Sequence, residues 1–190
     1  MTLERILKVI YKLTDDDTIK AIINSVNENQ EASKNWLVQQ AEPYIKTLTR
    51  PKILVAAGWF GNLGAKLAQF GQVMSIDQDP ICKTLGRKLN PNVSFLKKRI
   101  QSKTLEVGAY DILVCTSCEH ITDEVLREFI NRRKEGSLVI LQSNDYYKIK
   151  EHINCKDSLK DFAEGLPLDR ILWKGELKLK NYTRFMVIGE

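Results

Sequence analysis

Three glycines, at positions 58, 61 and 64, follow the apolar run Ile53 to Ala57, and an acid, Asp77, ends the next apolar run 19 residues after the first glycine. Glycine lets a backbone turn tightly and come close to a ligand, and a helix opening there points free N–H groups at it. A carboxylate ending the second strand can accept both hydroxyls of a ribose. Between the two runs, Ala65, Leu67, Ala68 and Phe70 keep helical spacing, and Val73 to Ile76 forms the second strand. This strand–loop–helix–strand unit predicts a site for an adenosine-type cofactor. The glycine spacing is G-x-x-G-x-x-G, with Trp59 and Phe60 between the first pair. Dinucleotide sites want G-x-G-x-x-G, whose second glycine admits the pyrophosphate, and two bulky aromatics would crowd it. The motif argues against NAD. The bland alternative is a doubly wound domain whose glycines serve close packing alone.

A second group, Cys115-Thr116-Ser117-Cys118-Glu119-His120-Ile121, stands at the carboxyl end of the fourth expected strand. That end lines the ligand crevice in open α/β sheets. An imidazole titrates near neutral pH, so His120 suits a general base, unless Glu119 and His120 only cap the next helix. Cys115 and Cys118 form C-x-x-C, with His120, His152 and Cys155 further on. Such ligands can hold zinc, but Cys115 falls in a buried strand, and buried cysteine behaves as a small hydrophobe. No metal is assigned. A third group, Gln142-Ser143-Asn144-Asp145-Tyr146-Tyr147, follows the fifth strand. Gln142, Asn144, Tyr146 and Tyr147 suit the orientation of a polar acceptor, although turn chemistry explains such a loop equally well.

The elements that must position these groups alternate along the chain. Helices are expected over about 2–13, 16–28 and 31–48, the second opened by Asp15-Asp16-Asp17, whose charge suits its dipole. After Pro51 come strands at Ile53–Ala57, Val73–Ile76, Val93–Leu96, Asp111–Thr116 and Ser137–Leu141, separated by helices including 81–89 and 123–134. Residues 148–164 are expected to be mainly helical. Ile171–Leu179 and Tyr182–Ile188 then form a closing strand pair that turns near Lys180-Asn181. Alternation implies a doubly wound, mostly parallel Rossmann-like α/β sheet with helices on both faces. The expected organisation is an N-terminal helical cap over 1–50 and a cofactor-binding domain over 51–190.

The glycine loop with its acidic second strand, the closing strand pair and the Glu119-His120-Ile121 step together resemble the class I S-adenosylmethionine-dependent methyltransferases. The resemblance covers about residues 52–190 and implies an antiparallel last strand. It implies S-adenosyl-L-methionine as cofactor, lying against Ala57, Gly58, Trp59, Phe60, Gly61 and Gly64, with Asp77 and Gln78 at the ribose. It takes Thr116, Ser117 and Cys118 past the methionine part and puts Glu119 and His120 near the acceptor. An Asn/Asp-Pro-Pro-Tyr/Phe step, which marks enzymes that methylate base amino groups, is absent. Two positions depart from the family. Ala56-Ala57 replaces an acid before the first glycine, and Lys97-Lys98-Arg99 occupies the place of an acid that touches adenine. There Arg99 or the backbone must serve the cofactor.

Composition narrows the classes. The chain has 190 residues, 43% of them hydrophobic and 28% charged, as in an ordinary globular domain. No apolar run approaches the roughly 18 residues of a membrane span. The N-terminus reads as an amphipathic helix and not a signal peptide. Four cysteines without a regular framework suit a reducing cytoplasm. The net charge of +5 lies wholly beyond residue 50, in separate clusters such as Lys97-Lys98-Arg99-Lys103 and Arg127-Arg132-Arg133-Lys134. A basic face can attract nucleic acid, but no recognition module or interleaved aromatic accompanies it. The expected activity is therefore methyl transfer to a small, polar metabolite. RNA methylation, aminopropyl-type transfer from an adenosyl sulfonium and non-catalytic cofactor binding are the alternatives, and oligomeric state is left open.

Overall fold

The apolar runs at 53–56, 112–115 and 138–141 become parallel strands buried on both faces, as continuous hydrophobic patterning requires. The computed structural model describes residues 2–13 and 15–190. Its strands are β1 (Lys52–Ala56), β2 (Gln72–Asp77), β3 (Ser94–Lys97), β4 (Ile112–Cys115), β5 (Leu138–Asn144), β6 (Ile171–Lys178) and β7 (Thr183–Gly189). They form one sheet in the order β3-β2-β1-β4-β5-β7-β6. β1 to β5 run parallel, while β7 pairs antiparallel with both β5 and β6. Register puts Ala56 opposite both Ile76 and Cys115, and Asp77 opposite Lys97. The carboxyl ends of the central strands are thus level. Strand order reverses between β1 and β4, where open sheets place their ligands.

Alternate strand residues feed two cores. On one face Leu54, Ala56, Leu113, Cys115, Val139 and Leu141 pack with Leu126, Phe129 and Ile130 of α6 (Asp123–Asn131) and Phe162 of α7 (Leu159–Glu164). On the other, Ile53, Val55, Ile112, Val114 and Ile140 meet α3 (Glu28–Ile45) and α4 (Asn62–Leu67). Leu37, Ala41 and Ile45 of α3 are fully buried in this second core. The third N-terminal helix is therefore a structural layer of the sheet domain. A smaller cluster joins Val9 of α1 (Leu3–Ile10) and Ile22 of α2 (Asp16–Asn24) to Phe60 and to Cys82, Leu85 and Leu89 of α5 (Pro80–Leu89).

Helix starts obey local capping chemistry. Asp15 accepts the N–H groups of Asp17 and Thr18, Asn27 that of Gln30, Asp79 that of Ile81, and Thr122 that of Val125. One expected helix is largely absent. Of residues 148–164 only Leu159–Glu164 is helical, because the preceding segment bonds across the domain. Asn154 N–H donates to the Glu119 carbonyl, Asn154 Nδ2 to the Ile121 carbonyl, and Lys156 N–H to the Asn144 carbonyl. Lys156 Nζ also pairs with Asp123 at 2.9 Å. Among the described residues no helix is long and apolar enough to cross a membrane, and all four cysteines are free thiols.

Candidate functional site

A cavity of about 1150 Å³ opens at the carboxyl ends of β1, β2, β4 and β5. The segment after β1 is its most unusual wall. Ala57 and Trp59 both take the left-handed region, at φ 50° each, on either side of Gly58. Non-glycine residues visit that region only when the surroundings hold them there. The holding groups are visible. Gly58 N–H donates to the Ile76 carbonyl at 3.0 Å, and Trp59 N–H donates to Asp77 Oδ2 at 3.1 Å. Asp77 Oδ1 also accepts the N–H of Asp79 at 3.0 Å. The acid ending β2 is thereby locked to the glycine loop and to the entry of α5, and each of its oxygens keeps room for a further donor.

The three glycines divide their work. Gly58 borders the cavity and abuts the end of β2, where a Cβ would lie 2.2 Å from Ser75 Oγ. Gly61, at φ +81°, faces the Phe95 ring, and Gly64 faces Val73 and Val93. Gly61 and Gly64 thus let α4 pack against the sheet and do not line the cavity. Gly61→Ala is expected to cost about 2–5 kcal/mol, since left-handed backbone costs an L residue roughly 1–2 and overpacking roughly 1–3. Gly64→Ala, whose nearest contacts begin at 3.2 Å, should cost less. Urea midpoints of the two variants check this, and equal losses would contradict it.

Other sequence candidates also divide. Ala57, Gly58, Trp59, Asp77, Gln78, Arg99, Thr116 and Ser117 border the cavity, as do Glu119, His120, Asn144 and Tyr146. Phe60 and Cys118 do not: both are 1% exposed, Phe60 in the α1–α2–α5 cluster and Cys118 in the α6-side core. Their apolar side chains gain more from burial than from a wet crevice. Cys118 Sγ donates to the Cys115 carbonyl at 3.6 Å, and burial raises its thiol well above the usual range. Gln142 is fully buried between Ser33 Oγ, which donates to its Oε1 at 3.0 Å, and Met186 Sδ. Tyr147 points outward, its hydroxyl donating to Asp157 at 2.5 Å, which pushes its pKa up to about 12.

Three residues outside the expected set complete the site. Arg184 of β7 is 4% exposed and donates to Glu119 Oε1 at 3.1 Å and to the Thr116 carbonyl at 3.3 Å. Burial works against its charge, but Glu119 and Tyr182 outweigh that and raise its pKa. His152 reaches the cavity from the loop after β5, its ring T-shaped to His120 with centroids 4.6 Å apart. Lys34 of α3 is 9% exposed, and its Nζ donates to the Ser25 carbonyl at 3.1 Å and to Gln30 Oε1 at 2.8 Å. A lysine on the helix face that carries Leu37, Ala41 and Ile45 was the available signal for it.

Burial lowers the Lys34 pKa to about 8, against about 10.4 for a free lysine. Between those values the unfolded chain holds more protons than the folded one, so stability rises with pH across the window. Below it the cost of the buried charge is present in full. The stability gap between Lys34→Met and the unaltered protein should therefore shift in favour of the unaltered protein from pH 8 to 10.4. Melting curves of both across that range check it, and a constant gap would contradict it.

No family model and no curated protein matches the chain. Solved structures do. The N-methyltransferase NodS from Bradyrhizobium japonicum WM9, in complex with S-adenosyl-L-homocysteine, superposes with a TM-score of 0.68 at 12% identity, covering 97% of this chain and 98% of that one. An S-adenosylmethionine-dependent methyltransferase from Clostridium acetobutylicum ATCC 824 gives 0.62 at 14% identity, covering 82% and 89%. A protein from Thermoplasma acidophilum gives 0.65 at 11% identity, covering 86% and 90%. The sheet order, its antiparallel β7 and these superpositions define one fold.

Proposed function

We propose that this chain, which has the class I S-adenosylmethionine-dependent methyltransferase fold, transfers a methyl group from S-adenosylmethionine to a small polar metabolite. The observation that carries the reading is the Asp77 carboxylate locked onto the left-handed Ala57–Trp59 loop at the switch point of the sheet. Ribose hydroxyls donate to the free capacity of Asp77. Trp59 and Ile100 offer flat and apolar walls to the adenine, with Gln101 and Arg99 at its polar edge. The methionine end lies over Gly58 toward Thr116 and Ser117, and the Lys34 ammonium pairs with its carboxylate.

The sulfonium makes the methyl carbon electrophilic, so the protein chiefly aligns donor and acceptor for in-line displacement. The acceptor heteroatom forms its bond to the methyl carbon as the carbon–sulfur bond breaks, and the electron pair leaves on sulfur. Glu119, His120, Asn144 and Tyr146 face the remaining volume, and they hold and activate the acceptor. Superposition on a protein that is named an N-methyltransferase and carries S-adenosyl-L-homocysteine supports this reading.

Incubating the protein with S-adenosylmethionine labelled in its methyl group, together with a cell extract, tests it. Label should pass to the low-molecular-weight fraction and depend on His120 and Tyr146. Label in RNA or protein, or no transfer, would contradict the proposed acceptor class.

A further inference from the structure

We propose that Glu119, His120 and His152 form a binding site for a divalent first-row transition-metal cation at the acceptor end of the cavity. The chain contains only two histidines, 32 residues apart, and folding brings both to one spot beside a buried carboxylate. One ligand atom from each of the three residues lies within 4.8 Å of the others. Ligands bound about 2.1 Å from one cation sit roughly 3.0–3.4 Å apart. Closing to that spacing requires the exposed His120 ring and the half-buried His152 ring to turn.

Two further observations point to a ligand. His120 Nδ1 lies 3.0 Å from the Glu151 carbonyl, and His152 Nδ1 lies 2.6 Å from the Tyr146 carbonyl. A carbonyl only accepts, so Nδ1 carries the proton on each ring, and in the neutral ring Nε2 is then the nitrogen that keeps its lone pair. Fixing the tautomer through a backbone carbonyl is how proteins orient metal-binding imidazoles. The second observation concerns Glu119. The residue is 3% exposed, Arg184 occupies Oε1, and Oε2 is buried with no hydrogen-bond partner among the described residues. A buried, unpartnered carboxylate oxygen is costly to leave so, and a cation would satisfy it.

Two imidazoles and one carboxylate suit Zn, Fe, Co or Mn better than Ca or Mg, and they leave coordination positions open. Asn144 and Tyr146 line the same cavity. The three ligands differ from the cysteine set that C-x-x-C suggests, because Cys115 and Cys118 are buried in the core. Resting on the methyl-transfer reading, the cation's part would be to bind an oxygen or nitrogen of the acceptor and favour its deprotonated form. His120 then acts as a ligand.

Calorimetric titration of chelator-treated, untagged protein with Mn(II), and the visible spectrum with Co(II), test the site. One equivalent should bind with micromolar affinity, and Co(II) should show no thiolate charge-transfer band. His120→Asn and His152→Ala should each weaken binding at least tenfold, with unchanged circular dichroism. Binding that is absent, that both variants retain, or that shows thiolate ligation would overturn the site. S-adenosyl-L-homocysteine is titrated into the same samples. Metal binding without it leaves the site standing and removes the methyl-transfer reading, while the reverse removes the site alone.

Discussion

Asp77→Ala is expected to lower affinity for S-adenosyl-L-homocysteine about 100-fold or more, read by calorimetry. Hydrogen bonds to a charged group contribute about 1.5–3 kcal/mol each, and a ribose offers two hydroxyls. Losing two such bonds costs about 3 kcal/mol at the least, and every 1.4 kcal/mol is tenfold in affinity. The variant also releases Trp59 N–H, so the left-handed turn at Ala57 and Trp59 loses the acceptor that holds it. Asp77→Asn keeps an acceptor oxygen without the charge and should lie between the two. Affinity unchanged in Asp77→Ala would mean that the loop binds no ribose there.

Arg184→Met is expected to destabilise the fold by about 3–5 kcal/mol, because it strands the buried Glu119 without its counter-charge. For a chain of this size that is a fall of roughly 6–20 °C in melting temperature. Both side chains are only 5% exposed, so water cannot take over the role of the partner. The pair also fastens β7 to the loop after β4, through the Thr116 carbonyl as well as the carboxylate. Replacing both residues, as Glu119→Leu with Arg184→Met, should recover much of the loss, since an apolar pair of similar volume often does as well as a buried ion pair. A single variant within 1 kcal/mol of the unaltered protein would show that the pair contributes little.

The centre of the sheet was legible in the chain because β1, β4 and β5 are buried on both faces and so read as apolar runs between glycine and polar breaks. Tyr182 to Ile188 turns back after Lys180-Asn181 without room for a crossover helix, which foretells an antiparallel β7. Residues 148–158 were not legible. Their backbone bonds go to Glu119 and Asn144 on distant elements, and no local pattern encodes such partners. The same holds for the site. Asp77, Gly58 and the Thr116–His120 step stand at strand ends, where the pattern itself locates them. Lys34 was legible only as a lysine on the helix face that carries Leu37, Ala41 and Ile45, while Arg184 lies inside a strand beside Phe185, and only tertiary packing reveals that it faces a cavity. Phe60 and Gly61 show the converse. Their place within the glycine motif suggested ligand contact, yet one fills a core cluster and the other admits the Phe95 ring.

The most direct test is calorimetric titration of the unaltered protein with S-adenosylmethionine, S-adenosyl-L-homocysteine, decarboxylated S-adenosylmethionine and NAD. The account predicts one site with micromolar affinity for the first two, weaker binding of the decarboxylated form, for want of the carboxylate that Lys34 pairs with, and none of NAD. Preference for the decarboxylated donor would redirect the transfer to an aminopropyl group. No binding of any adenosyl sulfonium or thioether would contradict the account at its centre and leave the glycine loop a packing device.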